Sequence, residues 1–199
     1  MKVSNDIAVN LEYMKKRLSY GLSVDVILKE FTVNAGIGRR DNAFLIYFQG
    51  TTSGTQIDQF IIESLHLIPR SAITENLSDL VEKQLISRNQ LDRSDDFDNI
   101  IKGVNYGGCA VFVDTVSCAF VADVKGWDAR GLDQPIAEAA VRGPQLAFNE
   151  VIRTNTGLIR KIVRNENLIC ESIDIGKTAV TSCNLMYIDG VANERLVSE

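Results

Sequence analysis

Two β-rich runs, CAVFVD (109–114) and CAFVADV (118–124), lie so close together that only a tight turn fits between them. This spacing predicts an antiparallel hairpin. With the turn near Asp114–Ser117, position 109 faces about position 122, so Cys109 and Cys118 are not expected to be bridged. Cys170 and Cys183 are equally remote, and no C-x-x-C pair occurs. A secreted disulfide framework is normally denser and shorter. Free buried thiols in a reducing cytosol are the favoured reading, with reactive thiols as the alternative. AFLIYF (43–48) reads as a buried strand. Such apolar runs fall far short of the roughly 20 residues of a membrane helix. The opening MKVSNDIAVNLEYMKKRL puts charge in every turn and has no signal-peptide core.

Helical periodicity marks other segments. Ile7, Leu11, Met14 and Leu18 share one helical face, and Gly21 supplies a stop. Ser23 then caps a predicted second short helix carrying Val24, Ile27, Leu28 and Phe31, with Asp25 near its positive end. Asn34–Asn42 is a polar connection. GTTSGTQ (50–56) resembles a phosphate loop only superficially, since it has no lysine where one is needed and is not G-x-G-x-x-G. It reads as a strand-to-helix turn leading into Ile57, Phe60, Ile61 and Leu65. Thr74 is the expected cap of a helix with Leu77, Leu80, Val81 and Leu85 inward. Ser94 is the expected cap of another, with Asp95 and Asp96 in its first turn.

The 199 residues suffice for one large domain or two small ones. The loop 126–132, or the stretch to Pro144, breaks the pattern and divides the chain into residues 1–131 and 132–199. The expected fold class is α/β: two small mixed α/β subdomains with helices packed on short sheets. Hydrophobic residues make up 45% and charged residues 24%, which excludes a disordered chain. With 21 basic and 26 acidic residues the net charge is −5, so no nucleic-acid partner is expected.

After the boundary, Gly143-Pro144 reads as a helix start, because proline at the first position loses only a bond it could not make. The helix carries an apolar stripe of Phe148, Val151, Ile152, Leu158, Ile159, Ile162 and Val163. Asn155 falls on that stripe and requires partners, either a neighbouring strand or loop or a bound ligand. Arg153, Arg160 and Arg164, with Lys161 beside them, occupy the other edge. That edge is a solvated basic face or, on the sharper reading, a docking surface for an acidic partner or anionic headgroups. ENLICESIDIG and AVTSCNLMYIDG read as two strands. Ala192–Glu199 reads as a helix just beginning, so more chain is expected to follow.

Here the residues resemble a known family. Glu138, Arg142-Gly143-Pro144, Phe148-x-Glu150, Asn155, Leu158-Ile159-Arg160 and Arg164 are similar to the segment that marks GerA-type germinant-receptor A subunits. Gly176, Tyr187-Ile188-Asp189-Gly190 and Ala192-Asn193 match its continuation. Val24-Asp25, Leu45-Ile46-Tyr47 and Lys102-Gly103 fit upstream. The chain departs from the pattern at Gln134-Pro135, where an acidic residue is common, and at Gln145, Leu146 and Ala147.

The resemblance implies the soluble part of an A subunit of the spore inner membrane, facing the spore core, ahead of transmembrane helices absent here. The implied partners are a transporter-like B subunit and a lipoprotein C subunit, and the implied role is a nutrient-triggered germination signal. No enzyme activity, cofactor or metal is expected. His66 is the sole histidine and has no metal-ligand spacing around it, and Asp95, Asp96 and Asp98 lack calcium-loop spacing. Two alternatives stay open. One is a paralogue associated with dipicolinate release. The other is a two-lobed module that holds a small-molecule nutrient between Glu138, Arg142 and Asn155. The candidate ligand or interface residues are therefore Glu138, Arg142, Glu150, Asn155, Arg160 and Arg164.

Overall fold

The computed structural model describes residues 1–36, 39–66, 77–85, 90–126 and 147–198. Helix α1 (Ile7–Arg17) begins where the Asp6 carboxylate accepts a hydrogen bond from the Ala8 amide, and ends on Lys15, Lys16 and Arg17, which complement its negative end. Strands β1 (Val26–Gly36) and β2 (Arg39–Phe48) form a long antiparallel pair. After them come α2 (Gly54–Ile57), a π-helical turn at Asp58–Ile62, and α3 (Glu63–His66). Next are α4 (Leu77–Leu85), β3 (Leu91–Ser94) and α5 (Phe97–Asn105). The predicted hairpin follows as β4 (Gly108–Val113) and β5 (Ala119–Asp123). The remaining elements are α6 (Ile152–Ile162), β6 (Leu168–Ile175), β7 (Thr181–Ile188) and α7 (Glu194–Ser198).

Five strands make one antiparallel sheet in the order β1-β2-β4-β5-β3, and β6 and β7 make a second sheet of two. Cys109 lies opposite Ala122, as the turn position requires. Helices cover both faces of the larger sheet. On one, Leu45, Val111 and Phe120 meet Ile57, Ile61, Leu65, Val81 and Leu85. On the other, Phe44, Ile46, Phe112 and Val121 meet Met14, Leu18, Phe97, Ile100 and Val104. The Phe44 and Phe112 rings stack with centroids 4.6 Å apart, and Phe97 adds to them at 6.0 Å. Covering both faces explains why AFLIYF is apolar without alternation: every residue from Ala43 to Phe48 is buried. Mixed α/β architecture is what the sequence pattern predicts.

Four local expectations are corrected. The segment after Ser23 is a strand, not a helix. Its Val26, Ile27, Phe31, Thr32 and Val33 favour extended backbone, and β2 supplies a ten-residue ladder partner. Asn34–Asn42 is not a separate connection, since β1 and β2 run into it. Ser94 closes β3, where its hydroxyl accepts from the Asp96 amide at 3.2 Å, and Asp96 stands at the N-cap position of α5. Finally, α6 starts at Ile152, because Asn149 and Asn155 fix the preceding backbone as a loop. Thr74, the proposed boundary loop and Gly143-Pro144 lie outside the described residues.

Candidate functional site: the joint between the two sheets

Between α1 and β1 the chain makes a tight turn, with Ser19 at φ 51° and Gly21 at φ 93°. The Ser23 amide closes it on the Ser19 carbonyl at 2.9 Å. This turn aims two short polar side chains, Ser23 and Asp25, at α6. Asp25 is fixed from behind as well, since the Gln49 amide at the end of β2 donates to its carbonyl at 2.7 Å.

Arg160 meets them from α6. Its Nε donates to Asp25 Oδ2, and its Nη2 donates to Asp25 Oδ1 at 2.8 Å, to Ser23 Oγ at 3.1 Å and to the Leu168 carbonyl at 2.8 Å. Ser23 Oγ donates to Asp25 Oδ1 at 2.9 Å and accepts from the Cys170 amide at 3.0 Å. The Val24 amide then donates to the Cys170 carbonyl at 2.8 Å. The guanidinium carbon lies over the Phe48 ring, 3.8 Å from its centroid. Arg160 is 2% exposed and Asp25 5% exposed. A planar, bidentate guanidinium stacked on an aromatic ring is a geometry that lysine cannot reproduce. Among the described residues only Arg160 Nη1 is a buried side-chain polar atom without a hydrogen-bond partner.

Backbone closeness locks the same joint. A Cβ on Gly157 would sit 2.3 Å from the Gly50 carbonyl oxygen, and one on Gly50 would sit 2.7 Å from the Arg153 carbonyl oxygen. The loop GTTSGTQ is thus a strand-to-helix turn, as expected, and its first glycine is where α6 rests. Around the rim, Arg17 binds Glu166 at 2.8 Å and Asp98 at 3.1 Å, tying α1 and α5 to the turn after α6. Arg164 covers the Tyr106 ring at 4.4 Å. Asn184 Nδ2 donates to Thr156 Oγ1 at 3.1 Å, which fastens β7 to α6. Burial, then the nearby Asp25 carboxylate, pushes the Cys170 thiol up to about 11.

The expected basic edge of α6 is therefore divided. Arg160 is not solvated; it is the buried centre of the joint, because Asp25 waits for it from 135 positions away. Arg153 and Arg164 are exposed. The expected apolar stripe is also revised: Phe148, Val151, Ile152 and Ile162 are exposed, while Thr156, Gly157, Leu158 and Arg160 are buried. Asn155 finds its partners in the adjoining loop, accepting from the Asn149 amide at 2.9 Å and donating to the Asn149 carbonyl at 2.7 Å. Glu150 is exposed beside it. Glu138 and Arg142 lie outside the described residues, so the cleft they were expected to form with Asn155 lies outside them too.

The joint's acid and hydroxyl are satisfied by each other and by Nε and Nη2 of Arg160, while Nη1 stays without a partner among the described residues. Among the described residues no three His, Cys, Asp or Glu side chains converge as metal ligands, and no helix is long and apolar enough to cross a membrane. His66 packs edge-on against Phe31.

Two fragments of the sequence pattern, Val24-Asp25 and Leu158-Ile159-Arg160, thus meet in space. The profile of the Bacillus/Clostridium GerA spore germination proteins matches residues 12–199. The chain belongs to the GerA family.

Its relatives within that family include Spore germination protein KA of Bacillus subtilis (strain 168), 28% identical over 99% of this chain and 35% of that protein. Stage V sporulation protein AF of the same organism is 29% identical over 99% of this chain and 39% of its own length. The chain therefore spans well under half of these curated relatives. Among solved structures it is similar to the N-terminal domain of the A subunit of the Bacillus megaterium spore germinant receptor GerK3, with a TM-score of 0.77. That match is 21% identical and covers all of this chain and 70% of the other, and it shows the shared fold.

Within this GerA-family chain, sequence reasoning named Arg160 but not its partners. In the sequence Ser23 reads as a helix cap, Asp25 as a residue near that helix's positive end and Gly50 as part of a strand-to-helix turn, while Phe48, Gly157 and Glu166 carry no separate signal. Pairing the two motif fragments that the family resemblance picked out was the one available clue.

Proposed function

We propose that this chain is a non-enzymatic domain of a germinant-receptor A subunit, taking part in receptor assembly and in passing on the germination signal. The observation that carries this reading is the buried Asp25–Arg160 pair. It joins residues from both ends of the family pattern into a rigid link between the two sheets, with no reactive group left over. A domain so built transmits displacement as a unit, which suits a coupling element. On this reading the full protein acts with B and C subunits in the spore inner membrane, with this domain on the spore-core side. The division at about residue 131 separates the two units being joined.

The test uses spores lacking the gene, complemented with variant copies. Arg160→Glu sets a second carboxylate against buried Asp25 and is expected to unfold the joint and abolish nutrient response. Arg164→Glu, on the surface, is expected to impair germination while the purified domain keeps its melting temperature. Full nutrient response in both variants would overturn the proposal. The second reading is a paralogue within the same family associated with dipicolinate release, which family membership alone does not separate from a germinant receptor. Deletion spores that answer nutrients normally but release dipicolinate abnormally would favour it.

A further inference from the structure

Helix α5 and the turn after α6 border a surface recess of about 360 Å³. Its two acids, Asp98 and Glu166, are both bound by Arg17, at 3.1 Å and 2.8 Å. Its two other cations, Lys102 and Arg164, are exposed, and among the described residues neither meets a carboxylate. Positive charge is therefore left unanswered at this point of a chain whose net charge is −5.

Arg164 is also held in place. Its Nε donates to the Lys161 carbonyl at 3.1 Å, and its guanidinium carbon lies over the Tyr106 ring at 4.4 Å. Lys125 Nζ lies 4.4 Å from the centroid of the same ring and binds Asp123 at 2.6 Å. An arginine already fixed by a ring loses little rotamer freedom when it binds, and its planar fork fits a carboxylate bidentately. Tyr106 itself is 47% exposed. It borders a smaller recess of about 180 Å³, shared with Gln90 and Lys125. Asn105 and Asn165 line the larger recess, and side-chain amides pair well with a peptide main chain. Tyrosine and arginine together at an exposed spot are the composition of protein interfaces.

We propose that this surface docks an acidic segment of a partner protein, with one carboxylate on Arg164, a second on Lys102 and the segment continuing over Tyr106. A bilayer of anionic lipid is the poorer fit. It is flat, it is repelled by a chain of net charge −5, and Asp98 and Glu166 would face its headgroups. A peptide carboxylate is small enough to reach the two cations and leave those acids to Arg17. The proposal rests on the reading of the domain as an assembly element, but its test needs no spore.

The probe is a fluorescein-labelled hexaglutamate peptide, titrated with the 199-residue chain at low salt and followed by fluorescence anisotropy. Saturable binding is expected, weakened by added salt and weakened about fivefold or more by Lys102→Glu and by Arg164→Glu. Lys177→Glu makes the same charge change in the exposed connection between β6 and β7, and should leave binding unchanged. All three variants should keep the parent melting temperature. Should charge reversal disturb the fold, Lys102→Gln and Arg164→Gln remove the charges alone and are expected to weaken binding in the same order of effect. Absence of saturable binding overturns the proposal, as does a loss that Lys177→Glu reproduces. Phosphatidylglycerol vesicles that hold the chain through the same two side chains would overturn it too, assigning the surface to a membrane. Each of these results leaves the nutrient response of the variant spores to decide the assembly reading separately.

Discussion

The two sheets are held by different physics. The five-stranded sheet is buried on both faces, and Phe44, Phe48, Phe112 and Phe120 of its strands, with Phe97 of α5, are among the largest fully buried side chains. Its stability comes from apolar area and dense packing. The β6–β7 sheet is buried only at one end, where Leu168, Ile169 and Cys170 meet the joint, and exposure rises steadily toward Ile175. That end is held by an ion pair, a serine, a carbonyl and a glycine–glycine contact. A hydrophobic core tolerates the loss of one contact by degrees. A buried charge does not, because removing its partner leaves a desolvated ion behind.

The contrast can be broken by substitution. Phe112→Ala should cost about 3–5 kcal/mol and lower the melting temperature of the whole chain by roughly 10 °C or more. Arg160→Ala should cost a similar ~3–5 kcal/mol by stranding Asp25. Its signature differs, however: hydrogen exchange should accelerate in β6, β7 and α6 while β2, β4 and β5 stay protected. Uniform acceleration across both sheets would show that the joint is not a separate mechanical unit. Gly157→Ala should cost about 1–3 kcal/mol, since the clash is with the Gly50 backbone, which cannot rotate away. Thermal melts alone decide that case.

Thiol titration sharpens the comparison further. Burial raises Cys109 in the large sheet beyond the ordinary alkaline range, and holds Cys170 at about 11 against an ordinary 9.0. Both folded values lie above the unfolded ones, so the stability they contribute is complete below pH 9 and fades above it, up to about 11 for Cys170 and further for Cys109. Cys170→Ala should flatten that fall in part, measured as melting temperature against pH. Half-buried Cys183 should label with a thiol reagent first and Cys109 last. The smallest stability effect is expected for Arg164→Glu, under about 1 kcal/mol because the side chain is exposed.

The elements read best from sequence were those whose pattern is local. The Cys109–Ala122 register follows from turn position alone, and the α1 face follows from steps of three and four. Strand β1 was misread because Ser23, Val24 and Asp25 look like a helix start, and nothing within ten residues says that their polar atoms are already committed. The same blindness put Arg160 on the surface. A helical wheel ranks positions by hydropathy, and an arginine that has a buried carboxylate waiting for it defeats that ranking.

By itself the sequence determined the strand and helix inventory of the continuous apolar runs, the hairpin register and the membership of the GerA family, because those depend on near neighbours or on a linear pattern. Only the tertiary structure decided which side chains meet. Asp25 and Arg160 are separated by 135 positions. Their pairing required β2 to end on Phe48, Gly50 to admit the backbone of α6, and the turn at Ser19–Gly21 to aim a carboxylate inward. Each condition is set by a different segment, and a buried charge is stable only where all of them hold together.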